Sequence, residues 1–191
     1  MQYTQLADDL ARLTESLGQL PEPVVRPALV VVSGLPGTGK SYFSGKLAER
    51  VPFVILESDA LRKILFSPPT YSAEESAHLF RVIHQLIENL LRKGISLILD
   101  ATNLSERNRE YLYNIADRLE AKLVLVQVEA PPEVVRLRLQ GRSAYGKSDA
   151  EWWVYQKMKS SVEEIHRKHY TVDTSRDITP VLDKIVKELT R

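Results

Sequence analysis

Between residues 28 and 41 the chain runs Ala-Leu-Val-Val-Val-Ser and then Gly34-Leu-Pro-Gly-Thr-Gly39-Lys40-Ser41. The first six residues are apolar and β-branched without alternation, the mark of a strand buried on both faces. Such a strand needs cover above and below, so it commits the chain to a layered core. The next eight fit G-x-x-x-x-G-K-[ST] without a gap, and Ser41 to Arg50 reads as a helix. Glycines at 34, 37 and 39 let the backbone curl until successive N–H groups face one anion. The helix that opens near Lys40 adds the positive end of its dipole. A dinucleotide-binding turn needs the spacing G-x-G-x-x-G, whereas the glycines here are spaced G-x-x-G-x-G, which disfavours it.

This strand–loop–helix unit is a P-loop, and its ligand is a nucleoside triphosphate, expected to be ATP. Contacts to the nucleotide are assigned to Gly34, Leu35, Pro36, Gly37, Thr38, Gly39, Lys40, Ser41 and Tyr42. Lys40 reaches the β- and γ-phosphates, and the Ser41 hydroxyl takes Mg²⁺.

Further strands are read at Phe53–Glu57, Ile95–Asp100, Leu123–Val128 and Tyr170–Asp173. Helices fall between them, at 72–93, 105–119, after Pro131 and Pro132, at 149–168, and from Thr179 onward. The 72–93 helix carries Leu79, Ile83, Leu86, Leu90 and Leu91 on one stripe. The expected fold is therefore α/β: a three-layer P-loop NTPase fold with a parallel five-stranded sheet, helices on both faces and a helical lid. Leu6, Leu10, Leu13 and Leu17 mark an amphipathic helix ahead of it, followed by a stiff connector at Pro21, Pro23 and Pro27. The chain divides into this helix and connector (1–27) and one P-loop domain (28–191), with the lid at about 136–160. The leading helix packs on the outside of the domain; docking to a partner is the alternative.

Three further segments carry chemistry. Ser58-Asp59-Ala-Leu-Arg62 follows the second strand, whose carboxyl end lies on the same sheet edge as the P-loop. Asp59 is placed to accept a proton from an attacking hydroxyl, and Arg62, one helical turn on, to hold an anionic group; a helix cap is the competing role for Asp59. Asp100 ends an apolar strand, where it supports Mg²⁺ through Ser41, and Thr102 and Asn103 follow it toward the substrate. Residues 136–168 hold eight Lys/Arg against four Asp/Glu in a chain whose net charge is only +1. Arg136, Arg138, Arg142 and Lys147 fall there. Arg138 and Arg142 are assigned to the nucleotide, Arg142 beside Gly141 closing over the γ-phosphate.

Together, Gly34–Ser41, Ser58–Arg62, Asp100-Ala-Thr-Asn-Leu-Ser-Glu-Arg107 and the looser run Arg136–Arg142 resemble P-loop kinases related to the 5′-kinase domain of bacteriophage polynucleotide kinase. Zeta-toxin and chloramphenicol phosphotransferase types are more distant relatives. The resemblance covers about residues 28–175. It implies that Asp59 is the general base and that Arg62 binds a phosphate on the acceptor. It also implies that Arg142 contacts the ATP phosphates and that Arg107 belongs to the acceptor side. Lys40, Asp59 and Arg142 are then the catalytic set. Ser41 and Asp100 serve the metal. No counterpart of that family's phosphatase partner domain is read in these residues.

The reaction expected is ATP-dependent transfer of the γ-phosphate to a hydroxyl, on a small molecule or a nucleic acid end. A nucleotide switch or ATPase acting on a protein partner is the rival. Against it, the sequence has no N-K-x-D, no D-x-x-G after the third strand, no L-S-G-G-Q and no second helical domain. A zeta-toxin-like kinase of nucleotide sugars is a third reading. With no cysteine, thiol catalysis and a Cys zinc site are excluded. His166 and His169, three apart on the expected 149–168 helix, have no third ligand nearby. The longest nearly uncharged apolar run, 27–35, is far short of the roughly 20 residues a bilayer demands. A cytoplasmic protein without a membrane partner is expected, monomer or homodimer.

Overall fold

The computed structural model describes residues 2–103, 105–142 and 148–191. Five strands, β1 (Ala28–Ser33), β2 (Val54–Glu57), β3 (Leu97–Asp100), β4 (Lys122–Glu129) and β5 (Tyr170–Asp173), form one sheet in the order β2-β3-β1-β4-β5. All four pairings are parallel. Eight helices among the described residues complete the α/β layers: α1 (Gln2–Ser16), α2 (Lys40–Ala48), α3 (Ser58–Leu65), α4 (Ala73–Arg92), α5 (Glu106–Arg118), α6 (Pro132–Arg142), α7 (Ser148–Lys159) and α8 (Thr179–Leu189).

Side-chain alternation along the strands builds two cores. Leu29, Val31, Leu97, Leu99 and Leu125 join the α4 stripe and Leu112 of α5 on one face. Val30, Val32, Ile98, Val124 and Val126 meet Phe43 and Leu47 of α2 and Leu182 and Ile185 of α8 on the other. A third small cluster, Val135, Leu139 and Tyr155 with Leu35 against it, seats α6 and α7 beside the loop after β1. The Ser72 hydroxyl accepts the Glu75 amide at 3.1 Å and caps α4 where the pattern begins.

The leading helix is part of the first core. Leu13 is fully buried there, with Leu6, Leu10 and Leu17 packed against it. Asp9 is buried too, and its carboxylate meets His78 Nε2 of α4 at 2.8 Å and Arg12 at 3.2 Å. Arg12 also donates to the Ile64 carbonyl of α3.

Two elements differ from the expectation. Ser58–Leu65 is a helix of its own, and α7 stops at Lys159 instead of continuing to 168. The reason lies in competing partners. Arg109 of α5 donates to the carbonyls of Glu163 and Glu164 at 2.9 and 2.8 Å, and the Glu163 carboxylate accepts the Glu106 amide at 2.6 Å. These bonds pin 163–164 to the start of α5, so His166 and His169 lie beyond the helix. Among the described residues, no helix is long and apolar enough to cross a membrane.

Leu13→Ala removes a fully buried side chain from the interface of α1 with the main core. It is expected to lower stability by about 2–5 kcal/mol, measured by urea denaturation.

Candidate active site

The loop between β1 and α2 sits at the carboxyl edge of the sheet, held from several sides. The Gly34 amide donates to Thr102 O at 3.2 Å, and the Ala101 amide to Val32 O at 3.3 Å, tying the loop to the end of β3. At Gly34 a Cβ would lie 2.4 Å from Val128 O, so the close approach of β4 admits only glycine. Gly39 adopts φ 96°, and a Cβ there would lie 2.9 Å from Thr174 Oγ1. The Thr38 hydroxyl donates to Leu35 O at 2.7 Å and Lys40 Nζ to the same carbonyl at 3.2 Å. Lys40 thereby folds over the loop it would serve. Tyr42 is exposed on α2.

Ser41 opens α2 beside Asp100. In the β2–β3 register Glu57 pairs with Asp100, and in the β1–β3 register Val32 does, which sets Asp100 next to the loop. Asp100 is 3% exposed, and its Oδ2 has no hydrogen-bond partner among the described residues. Burial raises its pKa and Asp59 adds to the rise, while the Ser41 hydrogen bond and Lys40 oppose it. Glu57 is raised in the same way, by desolvation first and then by the charges of Asp100 and Asp59. Both Asp100 and Glu57 are thus raised by neighbouring acids, while Lys40 opposes the rise in each. Asp59 is exposed on the first turn of α3.

The arginines are placed differently from one another. Arg62 is buried against α4: its Nη1 meets Glu75 Oε1 at 2.5 Å and its Nη2 meets Ser76 Oγ at 3.2 Å. Its guanidinium also lies 4.9 Å from the centre of the Tyr71 ring. Its charge is thus compensated inside the fold. Arg138 reaches the back of the phosphate loop, donating to Thr38 O at 3.2 Å and to Thr174 Oγ1 at 2.8 Å. Arg107 is exposed on α5. The Arg142 side chain and Lys147 lie outside the described residues.

Asn103 is buried with φ 47°, a left-handed conformation that asparagine tolerates better than most residues. Thr102 and Asn103 line a cavity of about 320 Å³ together with Gly34, Leu35, Gln127, Tyr155 and Ile165. That volume is within the range of small-molecule sites. Arg109 also lines it. Sequence reading missed Arg109, Thr174 and Glu57. The first has a legible signal, Glu106 three residues earlier on the same helix, and their side chains meet at 2.7 Å. Glu57 closes β2 two residues before Asp59 and is visible in the same way. Thr174 has no local signal.

A glycine-rich loop after the central strand of a parallel β2-β3-β1-β4-β5 sheet, with Lys40 and Ser41 opening the next helix and Asp100 beside them, defines the P-loop NTPase fold. Residues 29–165 match the AAA domain family AAA_33, and the chain belongs to that family. A curated relative, the L-seryl-tRNA(Sec) kinase of Methanococcus maripaludis, is 32% identical over 108 residues, covering 54% of this chain and 41% of that protein. Among solved structures, APE1195 is similar with a TM-score of 0.73 at 19% identity, over 88% of this chain and 98% of that one. The APS kinase CysC of Mycobacterium tuberculosis, solved with AMPPNP and APS, gives a TM-score of 0.63 at 17% identity, over 89% and 100% of the two chains. At such identities the likeness speaks for the fold.

Glu75 supplies a pH test of the Arg62 contact. Burial opposes its ionisation, yet the amide and hydroxyl of Thr70, the Arg62 guanidinium and the Tyr71 amide outweigh that and bring its pKa from 4.5 down to about 2. A depressed folded-state pKa stabilises the fold above the unfolded value, and that stability is lost as pH falls. Glu75→Gln is expected to be less stable than wild type at neutral pH. The gap should close as pH falls from 4.5 toward about 2, measured by urea denaturation across that range.

Proposed function

We propose that this chain transfers the γ-phosphate of ATP to a hydroxyl acceptor. The observation that carries the reading is the meeting of Lys40, Ser41, Asp100, Glu57 and Asp59 at one sheet edge, where burial and neighbouring acids raise the pKa of both Asp100 and Glu57. A site built only for a structural turn has no need of mutually repelling carboxylates beside a lysine. The relative whose name specifies a seryl group on tRNA supports a hydroxyl as the acceptor.

In this reading the loop amides and Lys40 hold the phosphates, and the start of α2 adds its dipole. Ser41 and Asp100 suit Mg²⁺, since Asp100 Oδ2 is a buried, unpartnered oxygen of the hard donor type that this ion takes. When bound there, Mg²⁺ supplies neutralisation of charge on the phosphate oxygens. Asp59 stands exposed one strand away and accepts the proton of the acceptor hydroxyl as it attacks. The body of the acceptor occupies the cavity flanked by Gly34, Thr102 and Asn103. Helices α6 and α7, packed on Leu35, form the cover that limits water. Because Arg62 is already paired with Glu75, an acceptor without an anionic handle, such as a small uncharged alcohol, is favoured over a polynucleotide end.

Asp59→Asn is expected to bind ATP as wild type does and to lose transfer by about 10²–10⁴-fold. Radiolabelled ATP offered with a panel of small alcohols beside a 5′-hydroxyl oligonucleotide measures this and identifies the acceptor. Transfer by Asp59→Asn near the wild-type rate would assign the base to another residue.

A further inference from the structure

We propose that Arg138 and Thr174 act as positioning residues that hold the phosphate loop in its anion-binding form by fixing the outward carbonyls at its turn. The inference rests on the nucleotide-binding reading and assigns these two side chains to the loop backbone instead of the nucleotide. A loop that points successive N–H groups inward must point the intervening carbonyls outward. At Thr38 that carbonyl belongs to the peptide shared with Gly39, and glycine at φ 96° imposes little resistance to a flip of this peptide. Two donors from distant parts of the chain meet it. Arg138 Nη1, on α6, donates at 3.2 Å, and the hydroxyl of Thr174, directly after β5, donates to the same oxygen. Arg138 Nη1 also donates to Gly37 O at 3.4 Å and to Thr174 Oγ1 at 2.8 Å, which orders the threonine hydroxyl toward Thr38.

The two donors are themselves anchored. Arg138 Nη2 donates to Thr174 O at 3.0 Å, and the Thr174 amide donates to Glu129 O at the end of β4, also at 3.0 Å. Thr174 is buried, and its side chain fills the space that a Cβ at Gly39 would take. Without these donors the Thr38 carbonyl loses its partners, and a buried carbonyl without partners is costly. Turning it toward the cradle would present an oxygen to the phosphates. Arg138 therefore raises nucleotide affinity through the loop, and the position of α6 is coupled to how well the cradle is formed.

The test is titration calorimetry with ADP on the full chain, comparing Thr174→Val, Thr174→Ser, Arg138→Met and the Arg138→Met/Thr174→Val pair, with thermal unfolding recorded for each. The isosteric Thr174→Val and Arg138→Met are each expected to weaken ADP by about 3- to 10-fold. Thr174→Ser, which keeps the hydroxyl, should restore binding to within about twofold of wild type. The double variant should be little weaker than the worse single one, because both act on one peptide. ADP binding by Thr174→Val equal to wild type overturns the inference. So does full multiplication of the two losses, which would put Arg138 on the nucleotide itself. A wild-type chain that binds no ADP overturns the nucleotide reading and this inference with it.

Discussion

β1 has β3 on one side, β4 on the other and a helical layer on each face, and none of its six residues is exposed. A strand locked on four sides cannot slide, so the loop it feeds leaves the sheet at a fixed point. The register with β3 then brings Asp100 level with Val32, and β2 brings Glu57 level with Asp100. The acidic groups reach the loop because of hydrogen-bond register in the sheet, and the side-chain contacts at the site come second to it.

The charges at this edge are arranged at a cost. Asp100 is desolvated and lies beside two other acids, and burial first, then Asp59, raises its pKa. The opposite arrangement holds at Arg62, where Glu75, Ser76 and Tyr71 surround the guanidinium and the charge is settled within the fold.

Much of this was legible in the sequence wherever a local pattern sufficed. The five strands, the α4 stripe and the loop from Gly34 to Ser41 are specified by neighbours in the chain, and the fold has the expected three layers. The N-terminal stripe of leucines likewise foretold a packed face, and Leu13 is buried in it. What eluded the sequence depends on partners far away in it. Residues 160–168 have helix-forming composition, but Arg109 claims the carbonyls of Glu163 and Glu164 that a helix would have used. The pairing of Arg62 with Glu75 spans thirteen positions, across a loop that no periodicity describes. Thr174 is one threonine after a short strand, and only the folded chain sets it against Gly39.

The contact between α1 and the helices it covers has a consequence for how the edge responds to force. Arg12 bonds to the end of α3, and Asp9 to His78 in the second turn of α4. The first turn of α3 carries Asp59, only five residues before the carbonyl that Arg12 holds. A displacement of α1, by a fused tag or a bound protein, would therefore act as a lever on a rigid two-turn helix and tilt the carboxylate at its far end. The amino-terminal helix is mechanically connected to the edge of the sheet although it contributes no group to it.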